Sequence, residues 1–132
     1  MLKAAVAGKR VVLVDDSIVR GTTTTQITHM LREAGATEVH IRISSPPFIN
    51  PCYFGTDIDS KDKLIACRMS IDDIRKTLDA DTLGYLSLEH LQQIAQVTTG
   101  CGFCMGCFTG EYPIEVPEET PCDKFSQKLC NN

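Results

Sequence analysis

The segment Arg10-Val11-Val12-Leu13-Val14 is a β-branched run with no polar alternation, and two adjacent aspartates, Asp15-Asp16, cut it off. An apolar run of this length without alternation predicts a strand over 10–14 in a parallel sheet that asks for cover on both faces; with only two other strand candidates in the chain, an unpaired edge and an uncovered face are expected. Behind the acids comes a loop rich in small and hydroxylic residues, Ser17-Ile18-Val19-Arg20-Gly21-Thr22-Thr23. Ile27, Met30, Leu31 and Ala34 then recur at helical spacing, which predicts a helix over 24–34, with Gly35 standing where helices stop. Residues 38–43 alternate, Val39, Ile41 and Ile43 against His40 and Arg42, and read as a second strand. Strand, loop, helix, strand is a βαβ unit with a right-handed crossover. The fold class is therefore α/β, a parallel sheet with flanking helices.

The remainder extends that pattern. Ser44-Ser45-Pro46-Pro47 ends the second strand, and a loop runs through Cys52 to about residue 60. A short helix is expected over 61–66. Another begins after Ser70, with Asp73 in its first turn and Ile71, Ile74 and Leu78 on its apolar side. A short strand over 82–86 follows, then a helix capped by Ser87 and carrying Leu88, Leu91 and Ile94 on one face. Beyond Pro113 the composition turns to Pro, Glu, Lys and Asn, so residues 117–132 read as a loose tail.

Composition narrows the function. With 132 residues the chain has room for one domain; 42% hydrophobic and 23% charged residues argue against disorder. A net charge of −4 provides no general attraction to nucleic-acid phosphates. No apolar run approaches the roughly 20 residues that span a bilayer, and the first ten residues, MLKAAVAGKR, lack a secretory pattern. The expectation is a cytoplasmic protein with neither nucleic acid nor membrane as a partner.

Two carboxylates side by side at a strand end raise each other's pKa unless a cation or hydroxyl donors stabilise the ionised forms. In open α/β sheets, ligands bind at the carboxyl ends of the strands. The loop from Ser17 to Thr23 supplies hydroxyls, Arg20 and backbone N–H groups running into a helix N-terminus, which together suit a phosphate. An acidic half and an anion-binding half are satisfied together by a ligand with a ribose diol and a phosphate, with Mg²⁺ at the acids. The competing readings are a phosphoacceptor receiver domain, which needs a further Asp at a later strand end, and two exposed loop acids.

Seven cysteines without an export signal read as reduced thiols or a metal site. Cys101, Cys104 and Cys107 form C-x-x-C-x-x-C, whose spacing brings two or three thiolates to one centre. That spacing leaves zinc, iron–sulfur and a chance run of thiols open. Cys52, Cys67, Cys122 and Cys130 are scattered; Cys67 reads as a core thiol and the two tail cysteines as free. His29, His40 and His90 have no motif around them.

The thirteen residues 11–23 closely resemble the phosphoribosyl pyrophosphate motif of type I phosphoribosyltransferases, and the wording DDSIVRGTT resembles the amidophosphoribosyltransferase family. The resemblance implies a partial type I phosphoribosyltransferase fold with a cysteine-rich C-terminal extension. It implies that Asp15 and Asp16 bind the ribose hydroxyls and Mg²⁺. Ser17, Ile18, Val19, Arg20, Gly21, Thr22 and Thr23 would then wrap the 5′-phosphate. The loop 45–55 and the run 101–113 resemble the segments that carry a 4Fe-4S cluster in iron–sulfur members of the family. Matching them assigns Cys52, Cys104 and Cys107 as ligands and Cys101 as a possible substitute, with the fourth ligand upstream of this chain.

The similarity covers residues from about 2 to 116 and divides the chain into a phosphoribosyltransferase part (1–97), an iron–sulfur ligand segment (98–116) and the tail (117–132). The implied activity is the first step of purine synthesis, in which glutamine-derived ammonia and phosphoribosyl pyrophosphate give 5-phosphoribosylamine and pyrophosphate. Purine nucleotides would act as feedback inhibitors and the intact enzyme would be a homo-oligomer. The glutaminase domain, the pyrophosphate segment and the catalytic flap of the family have no counterpart here. The chain thus reads as a partial product, inactive alone, with no catalytic residue assigned. The alternatives are an iron–sulfur or zinc binding module and a non-catalytic phosphoribosyltransferase-like regulator.

Overall fold

The computed structural model describes residues 3–58, 60–99 and 102–116. Cys101, Cys122, Cys130 and the tail from 117 lie outside them. Three strands, β1 (Arg10–Asp15), β2 (Glu38–Ile43) and β3 (Thr82–Tyr85), pair in parallel in the order β1-β2-β3. The helices are α1 (Lys3–Val6), α2 (Thr22–Glu33), α3 (Ile65–Arg68), α4 (Ile71–Thr77), α5 (Leu88–Thr99) and α6 (Gly106–Thr109). The α/β class, the parallel sheet and the flanking helices are as the sequence predicts.

The register explains which residues form the core. Val11 pairs with Val39 and Leu13 with Ile41, which in turn pairs with Leu83. Paired residues of a parallel sheet share a face. That face buries Val39, Ile41 and Ile43 against Ile18, Leu31, Ile65, Ile74, Leu78 and Ala80. The opposite face is open and β1 has a free edge, as expected for an apolar strand with only two others beside it. Val12 is 61% exposed and Val14 70% exposed, because β1 is an edge strand and no element of the described residues lies over them. Their row-mates on β2 are polar. His40 contacts Glu38 Oε2 at 2.8 Å and Thr82 Oγ1 at 2.9 Å, while Arg42 lies across Gly84 and donates to Thr82 Oγ1. Arg10 completes the ladder by donating to Glu38 at 2.6 Å.

Several local expectations shift for identifiable reasons. Helix α2 starts at Thr22, two residues early, because Gly21 adopts φ +82° and turns the chain straight into it. Its buried face is Thr24, Thr28 and Leu31, and Met30 is exposed; Thr28 tolerates burial by donating to Thr24 O at 3.0 Å. The helix expected over 61–66 divides into a 3-10 turn at Lys61–Lys63 and α3, since Leu64 is extended and fully buried between them. Ser70 caps α4, accepting from Asp73 N at 3.2 Å as expected, but Ile71 is exposed while Ile74 and Leu78 are buried. Ser87 accepts from His90 N at 3.2 Å at the start of α5, where Ala95 is the buried residue among the described side chains and Ile94 is exposed. That helix runs to Thr99. Cys67 is exposed and donates to Ile49 O at 3.2 Å, so it is not a core thiol.

Truncating Ile41, which is wholly buried, to alanine is expected to lower the unfolding free energy by about 2–5 kcal/mol in urea titrations. Val14→Thr on the open face is expected to change it by about 0.5 kcal/mol or less.

Candidate functional site

Strand β1 delivers its two acids to the carboxyl end of the sheet. The bond from Ser44 N to Asp15 O, 2.9 Å, carries the β1–β2 ladder right up to the first acid. Asp15 Oδ1 accepts the N–H of Asp16 at 2.9 Å, and Asp16 Oδ1 accepts the Ser17 hydroxyl at 2.8 Å. These local bonds orient one carboxylate oxygen of each acid and fold the start of the loop. Ile18, 2% exposed, plugs the loop into the main core, and Val19 O accepts Ile65 N at 2.9 Å. Gly21 then turns with its α-carbon against α3: a Cβ there would lie 2.9 Å from Ile65 Cδ1. No side chain caps α2, so the N–H groups of its first turn are left to a ligand or solvent.

The result is a cleft of about 590 Å³ lined by Asp15, Asp16, Ser17, Ile18, Val19, Arg20, Gly21, Thr22, Thr23, Thr24 and Asp57. All nine residues named from sequence for the ribose and phosphate are brought together in it. Thr24 and Asp57 were not foreseen. Thr24 is one turn into a helix expected to begin later. Asp57 comes from the long loop after β2, where only the location of that loop at the carboxyl end of the sheet pointed to it.

A second constellation lies behind the loop. Phe48, Ile58 and Leu64 form a small buried cluster, and Val19, Cys52, Cys107 and Phe108 pack on it. The phosphate-type loop and two of the predicted thiol ligands therefore rest on one set of side chains. Cys52 closes a turn: its N–H donates to Ile58 O at 2.9 Å, and its Sγ receives the N–H groups of Gly55 (3.5 Å) and Thr56 (3.3 Å). Burial opposes ionisation of this thiol, but the N–H groups of Gly55, Phe54 and Thr56 outweigh it and bring the pKa down to about 7. Cys107 is pushed up to about 11, by burial first and then by the neighbouring Cys52 and Cys104. Cys52 and Cys104 are thus both close enough to bear on Cys107. They do not form a closed metal-binding group: among the described residues no set of three His, Cys, Asp or Glu side chains is arranged to hold an ion.

Aromatic residues wall this site. Tyr112 lies over Gly106, where a Cβ would clash with the ring, and its hydroxyl donates to Pro51 O at 2.7 Å. Tyr53 meets it edge to face, with ring centroids 5.2 Å apart. Burial, and then Tyr53 and the three thiols, push the Tyr112 hydroxyl up to about 12. The glycine and the tyrosine lie in the run that the sequence assigned to the ligand segment, but their packing on each other was not legible there.

No protein-family model matches the sequence. Comparison with curated proteins is decisive. The amidophosphoribosyltransferase of Bacillus subtilis is 52% identical over 122 residues, covering 90% of this chain and 26% of that protein. That of Synechocystis is 52% identical over 120 residues, and that of Archaeoglobus fulgidus 49% over 124. The chain is homologous to one segment of the amidophosphoribosyltransferases. It spans about a quarter of the length of these relatives. Among solved structures, the glutamine phosphoribosylpyrophosphate amidotransferase of B. subtilis in complex with ADP and GMP superposes with a TM-score of 0.80 at 51% identity, covering 90% of this chain and 27% of that one. The similarity to this segment thus extends to fold as well as sequence.

The thiols have separable behaviour in the metal-free chain. Cys52 is expected to be alkylated by iodoacetamide with a midpoint near pH 7, and Cys107 only near pH 11, as read by mass spectrometry of the digested product. Because the Cys52 value is lowered on folding from an ordinary 9, its contribution to stability is full above pH 9 and is lost as the pH falls through 7.

Proposed function

We propose that this chain carries the phosphoribosyl pyrophosphate-binding loop and the cluster-ligand segment of an amidophosphoribosyltransferase acting in the first step of purine synthesis. The observation that carries the reading is the cleft: two acids at a strand end, then an uncapped helix N-terminus, all in a segment about half identical to these enzymes. In the intact enzyme the reaction would be glycosyl transfer. Ammonia released from glutamine would attack C1 of phosphoribosyl pyrophosphate, and pyrophosphate would leave as positive charge builds on the ribose ring.

Asp15 and Asp16 would accept hydrogen bonds from the ribose hydroxyls and favour that charge; neither would act as a nucleophile. The N–H groups at the start of α2 and the hydroxyls of Ser17, Thr22 and Thr23 would hold the 5′-phosphate. Mg²⁺, when bound, would neutralise the pyrophosphate leaving group. One or two carboxylates suffice to hold it, since it keeps waters and takes substrate phosphates as its other ligands. The paired acids fit that role.

Cys52, Cys104 and Cys107 would ligate a 4Fe-4S cluster, with Cys101 as a possible substitute and a fourth ligand from outside the chain. Supporting this are the soft sulfur donors, the nearness of Cys52 and Cys104 to Cys107 and a Cys52 held at about 7. Such a cluster would be structural, tying the 98–116 segment to the phosphoribosyltransferase part, 1–97. A cytoplasmic, homo-oligomeric enzyme with purine nucleotides as feedback inhibitors completes the reading. One relative's complex with ADP and GMP is consistent with it, and no helix among the described residues is long and apolar enough to cross a membrane.

Isothermal titration of the chain with phosphoribosyl pyrophosphate and Mg²⁺ is expected to give binding that Asp15→Asn or Asp16→Asn weakens tenfold or more. Equal affinity in the parent and both variants would refute the assignment. After anaerobic reconstitution, iron and sulfide are expected in the parent and are expected to fall to background in Cys52→Ser/Cys107→Ser.

A further inference from the structure

Cys52 and Cys107 come from distant parts of the sequence, and each is held within its own segment. The Cys52 N–H donates to Ile58 O, and the Cys52 sulfur collects the N–H groups of Gly55 and Thr56 in the same turn. Cys107 lies in the four-residue helix α6. The two segments must still be fixed against each other, and one side chain touches the neighbours of both thiols.

That side chain is Tyr112. Gly110, at φ +83°, ends α6 and turns the chain, and the Thr109 hydroxyl takes the N–H of Glu111 at 3.1 Å. Tyr112 is thereby folded back over Gly106, the residue before Cys107, so closely that a Cβ on Gly106 would lie within its ring. Its hydroxyl donates to the carbonyl of Pro51, the residue before Cys52, at 2.7 Å. Its ring meets Tyr53, the residue after Cys52, edge to face, and lies 6.3 Å from Phe54 between centroids. Just before Pro51, Ile49 N and Asn50 N donate to Cys107 O. Pro51 is buried, so depriving its carbonyl of the phenol donor is costly.

We propose that Tyr112 is a positioning residue of the thiol site, its ring and hydroxyl setting Cys52 against Cys107 before any metal binds. Ligands held in place beforehand lose less freedom on binding than ligands on independent loops. The proposal rests on the reading of these thiols as cluster ligands and adds to it the group that presets them.

The test treats the metal-free full chain with dibromobimane, which joins two thiols only where they lie side by side, and locates the links by peptide mapping. The Cys52–Cys107 link is expected to form about tenfold more slowly in Tyr112→Phe, and more slowly still in Tyr112→Ala. Gly106→Ala, which displaces the ring and keeps every polar group, is expected to match Tyr112→Ala. The Cys104–Cys107 link lies within one short segment and is expected to keep its rate in Tyr112→Phe. That variant removes a single oxygen atom and decides the matter if the larger changes unfold the chain. Equal Cys52–Cys107 rates in the parent and Tyr112→Phe would overturn the proposal. So would equal slowing of both links, which marks general loosening, or a parent that forms no Cys52–Cys107 link. Iron uptake on anaerobic reconstitution is expected to fall in step with the Cys52–Cys107 link. A parent that takes up no iron, with the link rates as expected, would overturn the cluster reading and uphold the role of Tyr112.

Discussion

Phe48, Ile58 and Leu64 are three modest apolar side chains, yet both sites at the carboxyl end of the sheet lean on them. Val19 of the phosphate-type loop packs on one side of this cluster, and Cys52, Cys107 and Phe108 pack on another. Phe48 and Phe108 stack at a tilt, with ring centroids 4.8 Å apart, which joins the loop after β2 to the short helix α6. The backbone follows: Ile49 N and Asn50 N both donate to Cys107 O at 3.0 Å. Interiors are close-packed and transmit small displacements. A shift of the loop after β1 is therefore felt at Cys52 and Cys107, and the reverse holds too.

The sheet sets the other half of the geometry. Parallel pairing of β1 on β2 ends with Asp15 opposite Ile43, so the first acid sits where the ladder stops and the chain must leave the sheet. From that point the loop has only a few residues in which to reach α2. Ile18 in the core and Gly21 in the left-handed region accomplish the turn. A side chain at Gly21 would need both a disfavoured φ and the space held by Ile65 Cδ1. The glycine therefore answers to α3 as much as to the cleft, so a turn of the cleft loop and a core contact coincide at one residue.

What the amino-acid pattern discloses depends on the range of the interaction. The strands, the βαβ order, the Ser70 and Ser87 caps and the acid-loop-helix sequence are local, and each was legible from residues a few positions apart. The faces of α2, α4 and α5 were less so. Hydrophobic spacing points rightly to Leu31, Ile74 and Leu78 but also to Met30, Ile71 and Ile94, whereas packing buries Thr24, Thr28 and Ala95. Threonine is readable as an interior residue only when its hydroxyl is seen to satisfy a carbonyl one turn back, as that of Thr28 does. Asp57, Tyr112 and the exposed Cys67 depend on how a long loop returns to the sheet, and nothing in their immediate neighbours encodes it. The open face of β1 was legible, by contrast, because an apolar run that asks for cover on both faces has only two other strands beside it.

The open face of the sheet has a bearing on colloidal behaviour. Its two valines are not contiguous with further apolar surface; the next strand presents His40 and Arg42 in the same rows, tied to Glu38, Arg10 and Thr82. Polar and charged side chains in the same rows keep the exposed hydrophobic patch small. The surface can be wetted by water as it stands, and it can be sealed by another element with little rearrangement, because the polar groups already satisfy one another within the plane of the sheet.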